Sequence, residues 1–437
     1  MFSSEVDTAG ISLRARSSGI FLGTVILVSV AAALVSARTV PFFFALTVAS
    51  FLVTAAVRGR LGDVVPKSTP VFWHLAAFLL YAAASSAWAL EPQATLGVTV
   101  LGIVIGLGTV AVLQLVAAET RPNLLHMGEG LWMGLSVGLL YLCVELATDQ
   151  SIKIWVYNLI ALKPGALAPI EYFDWAGGRL VAISREDLTR NMAPATVLLW
   201  PAVTALVGAV TRSRAIVLAV AMTLLAGVVL MTAWHETSKV AYIVGIAAFA
   251  FARFAPRATA RVAMVGWVCA CLAVLPAALL AHRLDLHNAS WLQMTAKHRI
   301  IIWNYTAEQV LNAPWFGIGA RSTYVLGPRL EPEVASLPDE KYRRTLSTHS
   351  HSIYLQTWFE LGLVGATLLT LLGLSILQVM ASLGRRLQPY AYATFASVAV
   401  LAASSYGMWQ PWFMALFGFC AVLFGLGGRL FDERVDS

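Results

Sequence analysis

Charge is what this sequence has least of. Only 12% of its 437 residues are Asp, Glu, Lys or Arg, and 59% are hydrophobic. Soluble domains usually carry roughly 25% charged residues, so a water-soluble globule is excluded and a polytopic membrane protein is left. Cysteine is scarce too. Cys143, Cys269, Cys271 and Cys420 all fall inside apolar runs, and Cys269 and Cys271 would point to different faces of one helix. That argues against a disulfide framework or a thiolate metal site. Carboxylates form no cluster, and internal repeats and low-complexity tracts are missing. Gly317-Ile318-Gly319 follows a Pro-Trp-Phe turn and not a strand, so it is no nucleotide fingerprint. The first apolar run lacks a small-residue cleavage site and is expected to stay in place as a first span, with nothing removed.

Long apolar runs are what the sequence has in abundance. A hydrocarbon core about 30 Å thick needs roughly 20 apolar residues per helix, and twelve such runs can be read, near 18–37, 40–57, 70–90, 95–118, 127–147, 191–211, 214–233, 238–253, 261–281, 353–382, 389–407 and 410–428. The expected fold is an all-α polytopic membrane protein of about twelve transmembrane helices, with a large periplasmic loop between helices 9 and 10. Orientation follows from the bias of Lys and Arg toward cytoplasmic loops. With the N-terminus inside, fifteen basic residues gather on the inner side, among them Arg58, Arg60, Arg212, Arg253, Arg385 and Arg386, and the short outer loops hold only Arg38 and Lys239. Both chain ends are therefore expected to be cytoplasmic.

Two outer segments break the pattern of short loops, 148–190 and 282–352. Loops beyond about 12–15 residues are usually functional or disordered, and these are too aromatic and apolar for disorder. Both are expected to lie along the membrane surface. The chain thus divides into residues 1–281 (nine spans and the 148–190 segment), 282–352 (the large loop with the candidate site) and 353–437 (three spans and a tail). Within the loop, 291–312 reads as a helix with Ser290 as N-cap, and Arg299 and Trp303 share one of its faces at i, i+4 spacing.

Five of the eight histidines, His282, His287, His298, His349 and His351, fall in 282–352 beside eight basic residues: Arg283, Lys297, Arg299, Arg321, Arg329, Lys341, Arg343 and Arg344. Guanidinium groups hold phosphate oxygens bidentately, so a phosphate-bearing lipid or glycolipid is a natural partner; the plainer reading pairs these arginines with acidic headgroups or neighbouring carboxylates. His351 stands at the start of a membrane helix, whose dipole disfavours imidazolium, so a neutral ring there could accept a proton. The plainer reading makes it an interfacial anchor. His349, two residues earlier, is expected to point elsewhere, and no third ligand is spaced to make a metal site of the pair. Glu360 is out of phase with His351 for a dyad, yet a carboxylate inside a span is a functional hint. Gly362 and Gly365 are expected to permit close helix packing.

The order Arg299, Trp303, "NAPWFGIGA" and "HSHSIYLQTWFELGLVG" resembles the O-antigen ligase and polymerase superfamily, strongly over the back third of the chain and elsewhere by architecture. The resemblance implies a membrane glycosyltransferase of lipopolysaccharide biosynthesis, multi-pass in the bacterial inner membrane with its active site facing the periplasm. It would move O-antigen polysaccharide from undecaprenyl diphosphate to a hydroxyl of the lipid A core oligosaccharide, without a metal or other cofactor and with inversion. His351-Ser352-Ile353-Tyr354-Leu355 fits the family's H-[NS]-x-x-L pattern, which makes His351 the catalytic base, and Arg299 matches its essential loop arginine. Arg190, Arg185, Lys239, Arg321, Trp303 and His349 would bind diphosphate or substrate. The family's Ser-Arg pair at the start of a span is here Thr237-Ser238-Lys239; charge is kept but the planar fork is lost, so Arg190 or Arg185 is expected to take that task. Partners would be the two lipid-linked glycans and membrane lipids, not nucleic acid.

Three rivals remain open at the level of sequence. The polymerase of the same superfamily joins repeat units on the same carrier. The protein O-oligosaccharyltransferase usually has a sizeable domain after its last spans, where this chain ends a few residues past the twelfth. A transporter without chemistry would put ionisable groups near the midplane of its spans, where this sequence has few beyond Glu145 and Glu360.

Overall fold

A computed structural model describes residues 3–165, 169–327 and 347–435. Arg329, Lys341, Arg343 and Arg344 lie outside the described residues. The chain is mostly helical: α1 (Ser3–Val35), α2 (Val40–Val57), α3 (Pro70–Ala84), α4 (Pro92–Ala117), α5 (Arg121–Ala147), α6 (Ser151–Leu159), α7 (Met192–Ala209), α8 (Arg212–Thr232), α9 (Glu236–Phe254), α10 (Pro256–Leu272), α11 (Val274–Arg283), α12 (Met294–Val310), α13 (Ile353–Ser382), α14 (Gln388–Ser404) and α15 (Pro411–Val435). Proline opens several of them, at Pro70, Pro92, Pro256 and Pro411, where its fixed φ suits the first turn and its missing N–H costs nothing.

Among the described residues ten helices are long and apolar enough to cross a membrane, or eleven if α10 and α11, bent by 67° at Ala273, form one span. The protein is a multi-pass membrane protein. The run expected over 389–407 is the shorter α14, whose 17 residues reach about 26 Å at 1.5 Å per residue.

Helix α7 is the axis of the bundle. It is buried along nearly its whole length and packs against α5, α8, α14 and α15. Beside it α1 and α5 touch backbone to backbone, because glycine removes the side chains between them: a Cβ on Gly130 would come within 2.0 Å of the Gly23 carbonyl oxygen. Without a hydrophobic force between helices in lipid, such close van der Waals contact is a main source of association.

The fold is not wholly helical. Segment 148–190 holds α6 and an antiparallel hairpin, β1 (Phe173–Ala176) and β2 (Arg179–Ile183), turned at Gly177 and Gly178 with φ of +56° and +77°. Two positive φ values at a two-residue turn match the twist of the strands and require glycine here. Phe173, Leu180 and Ile183 are buried against Ile154 and Tyr157 of α6. Asn158 fastens the two pieces, exchanging hydrogen bonds with the Leu180 backbone at 2.8 and 2.9 Å.

Helix α13 is interrupted. Gly362 leaves helical geometry at φ +63° and ψ −161°, so the carbonyls before it are released to outside donors. Ile318 N–H donates to Phe359 O at 3.2 Å and Gly319 N–H to Glu360 O at 2.8 Å, while Leu363 N–H donates to Pro314 O at 2.8 Å. "PWFGIG" thus docks backbone to backbone on "FELGLV". Gly317, at φ +68°, closes the contact, since a Cβ there would lie 2.4 Å from the Glu360 carbonyl carbon. Gly362 is therefore a break that receives the loop, a different role from the close helix packing expected for it.

Candidate functional site

The site lies at one end of the bundle, where α9 begins, α14 ends and α13 begins. The loop 405–410 between α14 and α15 runs through its middle, and α12 crosses over it. This helix starts at Met294 with Gln293 as N-cap, not at Ser290, and no side chain caps it. From it Arg299 and Trp303 both reach the site. Arg299 donates through Nη1 to Ser404 Oγ at 3.1 Å and to Thr237 Oγ1 at 3.3 Å. Trp303 Nε1–H donates to Ser350 O at 2.9 Å and pins the segment that carries the histidines.

That segment is tightly determined. Ser350 is fully buried and its hydroxyl donates to Ser352 O at 2.8 Å, while the Ser352 hydroxyl caps α13 by accepting from Leu355 N–H. Between them His351 takes φ +55°, a left-handed conformation that costs a non-glycine residue about 1–2 kcal/mol. The turn aims its ring at the loop: His351 Nδ1 lies 2.9 Å from Ser405 O. A carbonyl can only accept, so Nδ1 carries the proton and Nε2 keeps its lone pair. Nε2 has no hydrogen bond among the described residues. Burial lowers the His351 pKa to about 3, helped by the neighbouring His349 and by the Arg299 charge.

His349 was expected to point elsewhere, yet its ring meets that of His351 edge to face at 4.1 Å between centroids. The left-handed turn at His351 explains why, since it folds the two side chains back onto one another. Gly407 makes room, because a Cβ there would come 2.8 Å from His349 Cβ. Burial also lowers His349, to about 4, with the Arg190 and Arg299 charges adding to it.

Arg299 is half-buried and has no carboxylate partner among the described residues. Burial lowers its pKa from the ordinary guanidinium value. Removing a cation from water without a counter-ion costs roughly several kcal/mol in a closed interior, so a partly desolvated guanidinium without a carboxylate beside it favours an anion at this place. Arg190, in the 3-10 turn Arg185–Asn191 before α7, stands close enough to act electrostatically on Tyr406 and His349, and has no ion pair among the described residues.

Other candidates are elsewhere occupied. Arg185 is paired with Asp149 at 2.7 Å on the surface, and Lys239 with Glu236 at 2.7 Å, so neither offers a free cation here. Arg321 lies over the Tyr324 ring, 4.9 Å from its centroid. Its backbone N–H, rather than its guanidinium, is tied to the rest, donating to Glu360 at 2.9 Å.

Sequence reading missed two members. His235, just before α9, accepts from the Ser238 hydroxyl at Nδ1 (2.6 Å) and lies 3.3 Å through Nε2 from the Tyr406 hydroxyl. Tyr406 in turn donates to Thr189 O at 3.1 Å and stacks on the His235 ring at 5.6 Å. Burial pushes His235 down to about 3, Arg299 adding to it, and pushes Tyr406 up. This polar chain joins the 3-10 turn, α9 and the loop 405–410. The one available signal was His235 itself, two residues before Thr237 in the stretch aligned with the family's Ser-Arg pair.

Glu360, in α13, belongs to the frame of the site. It touches neither histidine. Its oxygens accept from Arg321 N–H at 2.9 Å, Thr323 N–H at 3.1 Å, Gln356 Nε2 at 3.1 Å and Trp409 Nε1. Gln356 is oriented by accepting from Met408 N–H at 2.9 Å. The buried carboxylate therefore fastens α13, the 313–323 loop and the loop 405–410 into one unit. Among the described residues no group of three His, Cys, Asp or Glu could hold a metal ion.

Comparison with known proteins bears on this same region. Residues 197–370, which contain Arg299, Trp303, His349, His351, Glu360 and Gly362, match the family model described as O-Antigen ligase. Among curated proteins, one of Rickettsia conorii named "Putative polysaccharide ligase" is 30% identical over 125 residues, covering 28% of this chain and 30% of the relative. A protein of the same name from Rickettsia typhi is 28% identical over 142 residues, 31% of this chain and 34% of the relative, and one from Rickettsia bellii is 29% identical over 122 residues, 28% and 29%. The matches span about a third of the length of these relatives. A broken membrane helix receiving a glycine-rich loop, with arginine and histidine gathered at its mouth, thus lies within the segment that is similar to the O-Antigen ligase family model.

Proposed function

We propose that the protein is an O-antigen ligase, transferring O-antigen polysaccharide from undecaprenyl diphosphate to a sugar hydroxyl of lipid A core oligosaccharide at the periplasmic face of the inner membrane. The observation that carries this reading is the pairing of a half-buried Arg299, without a carboxylate partner among the described residues, with a neutral His351 on adjacent residues where α14 gives way to the loop: Ser404 holds the first and Ser405 the second. An enzyme that breaks a sugar–diphosphate bond needs an anion cradle and a base side by side, and these residues could supply both.

In this reading His351 Nε2 takes the proton of the acceptor hydroxyl as its oxygen attacks the anomeric carbon. The bond from that carbon to the diphosphate breaks, and its electron pair leaves on the diphosphate oxygen. Arg299, assisted by Arg190, stabilises the charge that develops there. A single displacement inverts the anomeric centre. Guanidinium groups take the place that a divalent cation fills in many glycosyltransferases, so transfer is proposed to be metal-independent. Before donor binds, the low pKa of His351 would keep the ring unprotonated but weakly basic. Diphosphate bound to Arg299 adds negative charge beside the ring, which favours imidazolium and raises its basicity when the donor is present.

Trp303 and His349 would act as positioning residues, through Ser350 and through the ring contact with His351. The test is genetic. In a strain lacking the native gene, wild-type protein should restore polymer-capped lipopolysaccharide on a gel, and His351→Ala or Arg299→Ala should leave uncapped core with carrier-linked polymer accumulating. Capping by one repeat in the deletion strain would instead mark a polymerase. Full capping by His351→Ala would remove His351 from the chemistry.

A further inference from the structure

The opposite end of the bundle holds a second basic site that the proposed reaction does not use. Thr237 and Arg253 lie near the two ends of α9, 16 residues apart, or about 24 Å at 1.5 Å per residue. Around Arg253 a cavity of about 750 Å³ opens between the end of α9, the starts of α8 and α10, the 383–389 turn and the last turns of α15. Arg212, Arg253, Arg385 and Arg386 line it, together with Phe254, Tyr390 and other apolar side chains, and no Asp or Glu does. None of the four arginines has an ion pair among the described residues.

We propose that this cavity binds an anionic phospholipid through its headgroup, best one whose head carries two phosphates, with the acyl chains lying along the exposed apolar surface of α8 and α9. Three features lead there. Four guanidinium groups can each offer a two-pronged donor edge to phosphate oxygens. The walls are aromatic and aliphatic, which suits the glycerol and upper acyl region and ill suits a fully hydrated soluble anion. The helix ends set the cavity at headgroup depth, where basic pockets between spans meet acidic lipid, and Ile216, Val217 and Phe254 beside it are 58%, 67% and 85% exposed. A bias of positive charge to one side of the membrane explains why arginines occur at this end. It does not require that residues from α8, α9 and the 383–389 turn line one cavity.

The full-length protein in detergent tests this by native mass spectrometry and lipid titration with cardiolipin, phosphatidylglycerol, phosphatidylethanolamine and inorganic pyrophosphate. Cardiolipin should be retained most strongly, phosphatidylglycerol less and phosphatidylethanolamine least. Each guanidinium removed should weaken retention about fivefold, so Arg385→Gln with Arg386→Gln should lose about 25-fold. The Arg385→Lys, Arg386→Lys pair keeps the charge that orients the chain and loses only the fork, and should fall between. Cardiolipin should raise the melting temperature of the wild type more than that of the Lys pair, a comparison that stands even if the Gln pair fails to fold. Equal retention of the zwitterionic lipid, or unchanged retention in the Lys and Gln pairs, would overturn the proposal. Pyrophosphate competing as strongly as cardiolipin would also overturn it, by making the cavity a site for a soluble anion. None of these outcomes depends on the glycosyl-transfer reading.

Discussion

Replacing Glu360 by Gln should weaken the protein and disorganise the site without touching either histidine. In the native frame each carboxylate oxygen accepts two bonds, Oε1 from Thr323 N–H and Gln356 Nε2, and Oε2 from Arg321 N–H and Trp409 Nε1. Glutamine has one accepting oxygen and one donating NH2. Whichever way the amide turns, two buried donors lose their acceptor and face another donor. A buried donor left unsatisfied costs about 1–3 kcal/mol, so the change should cost about 2–6 kcal/mol. Gln356 cannot turn to compensate, because its own oxygen is held by Met408 N–H. The loss should be measured as the unfolding free energy of purified protein in detergent or bicelles, alongside transfer activity. Activity should fall as well, because Trp409 fastens the loop that presents Ser405 O to His351. A Glu360→Gln protein as stable as wild type, within about 0.5 kcal/mol, would refute the four-donor account.

Three further outcomes follow from the same geometry. Trp303→Phe keeps an aromatic ring, though a smaller one, and removes the bond to Ser350 O, and should lower stability by about 1–3 kcal/mol; kcat should drop with KM little changed, as expected of a residue that positions the base. His235, His349 and His351 have folded pKa values of about 3, 4 and 3, below the roughly 6.5 of an unfolded chain. The unfolded state then binds more protons between those limits, so stability should be full above about pH 6.5 and decline as pH falls toward 3, which melting curves between pH 7.5 and about 4.5 would check. Gly362→Ala should be severely destabilising, since alanine must hold φ +63° with its Cβ 2.4 Å from the Trp315 backbone.

The membrane class was legible because long apolar runs have few alternative uses, and ten or eleven of the expected crossings stand as such helices. Arg299 and Trp303 could be placed on one face because i, i+4 spacing in a helix fixes direction. What failed were features that depend on contacts distant in sequence. His349 was misdirected because a left-handed φ at a non-glycine residue has no local signature, and His351 adopts one. Gly362 read as a packing glycine because its docking partner, Gly317, is 45 positions away in sequence. Arg185 is paired with Asp149, 36 residues before it in the chain. Tyr406 was hidden inside an apolar run that ends, in the folded chain, at Ser404.

Glycosyl transfer by purified protein, with defined carrier-linked donor and core acceptor and with or without chelator, addresses the central claim most directly. The account predicts turnover that survives chelation, an inverted linkage in the product, and loss of turnover in His351→Ala while carrier-linked donor still binds through Arg299. Turnover by His351→Ala at the wild-type rate, or retention at the anomeric carbon, would contradict it.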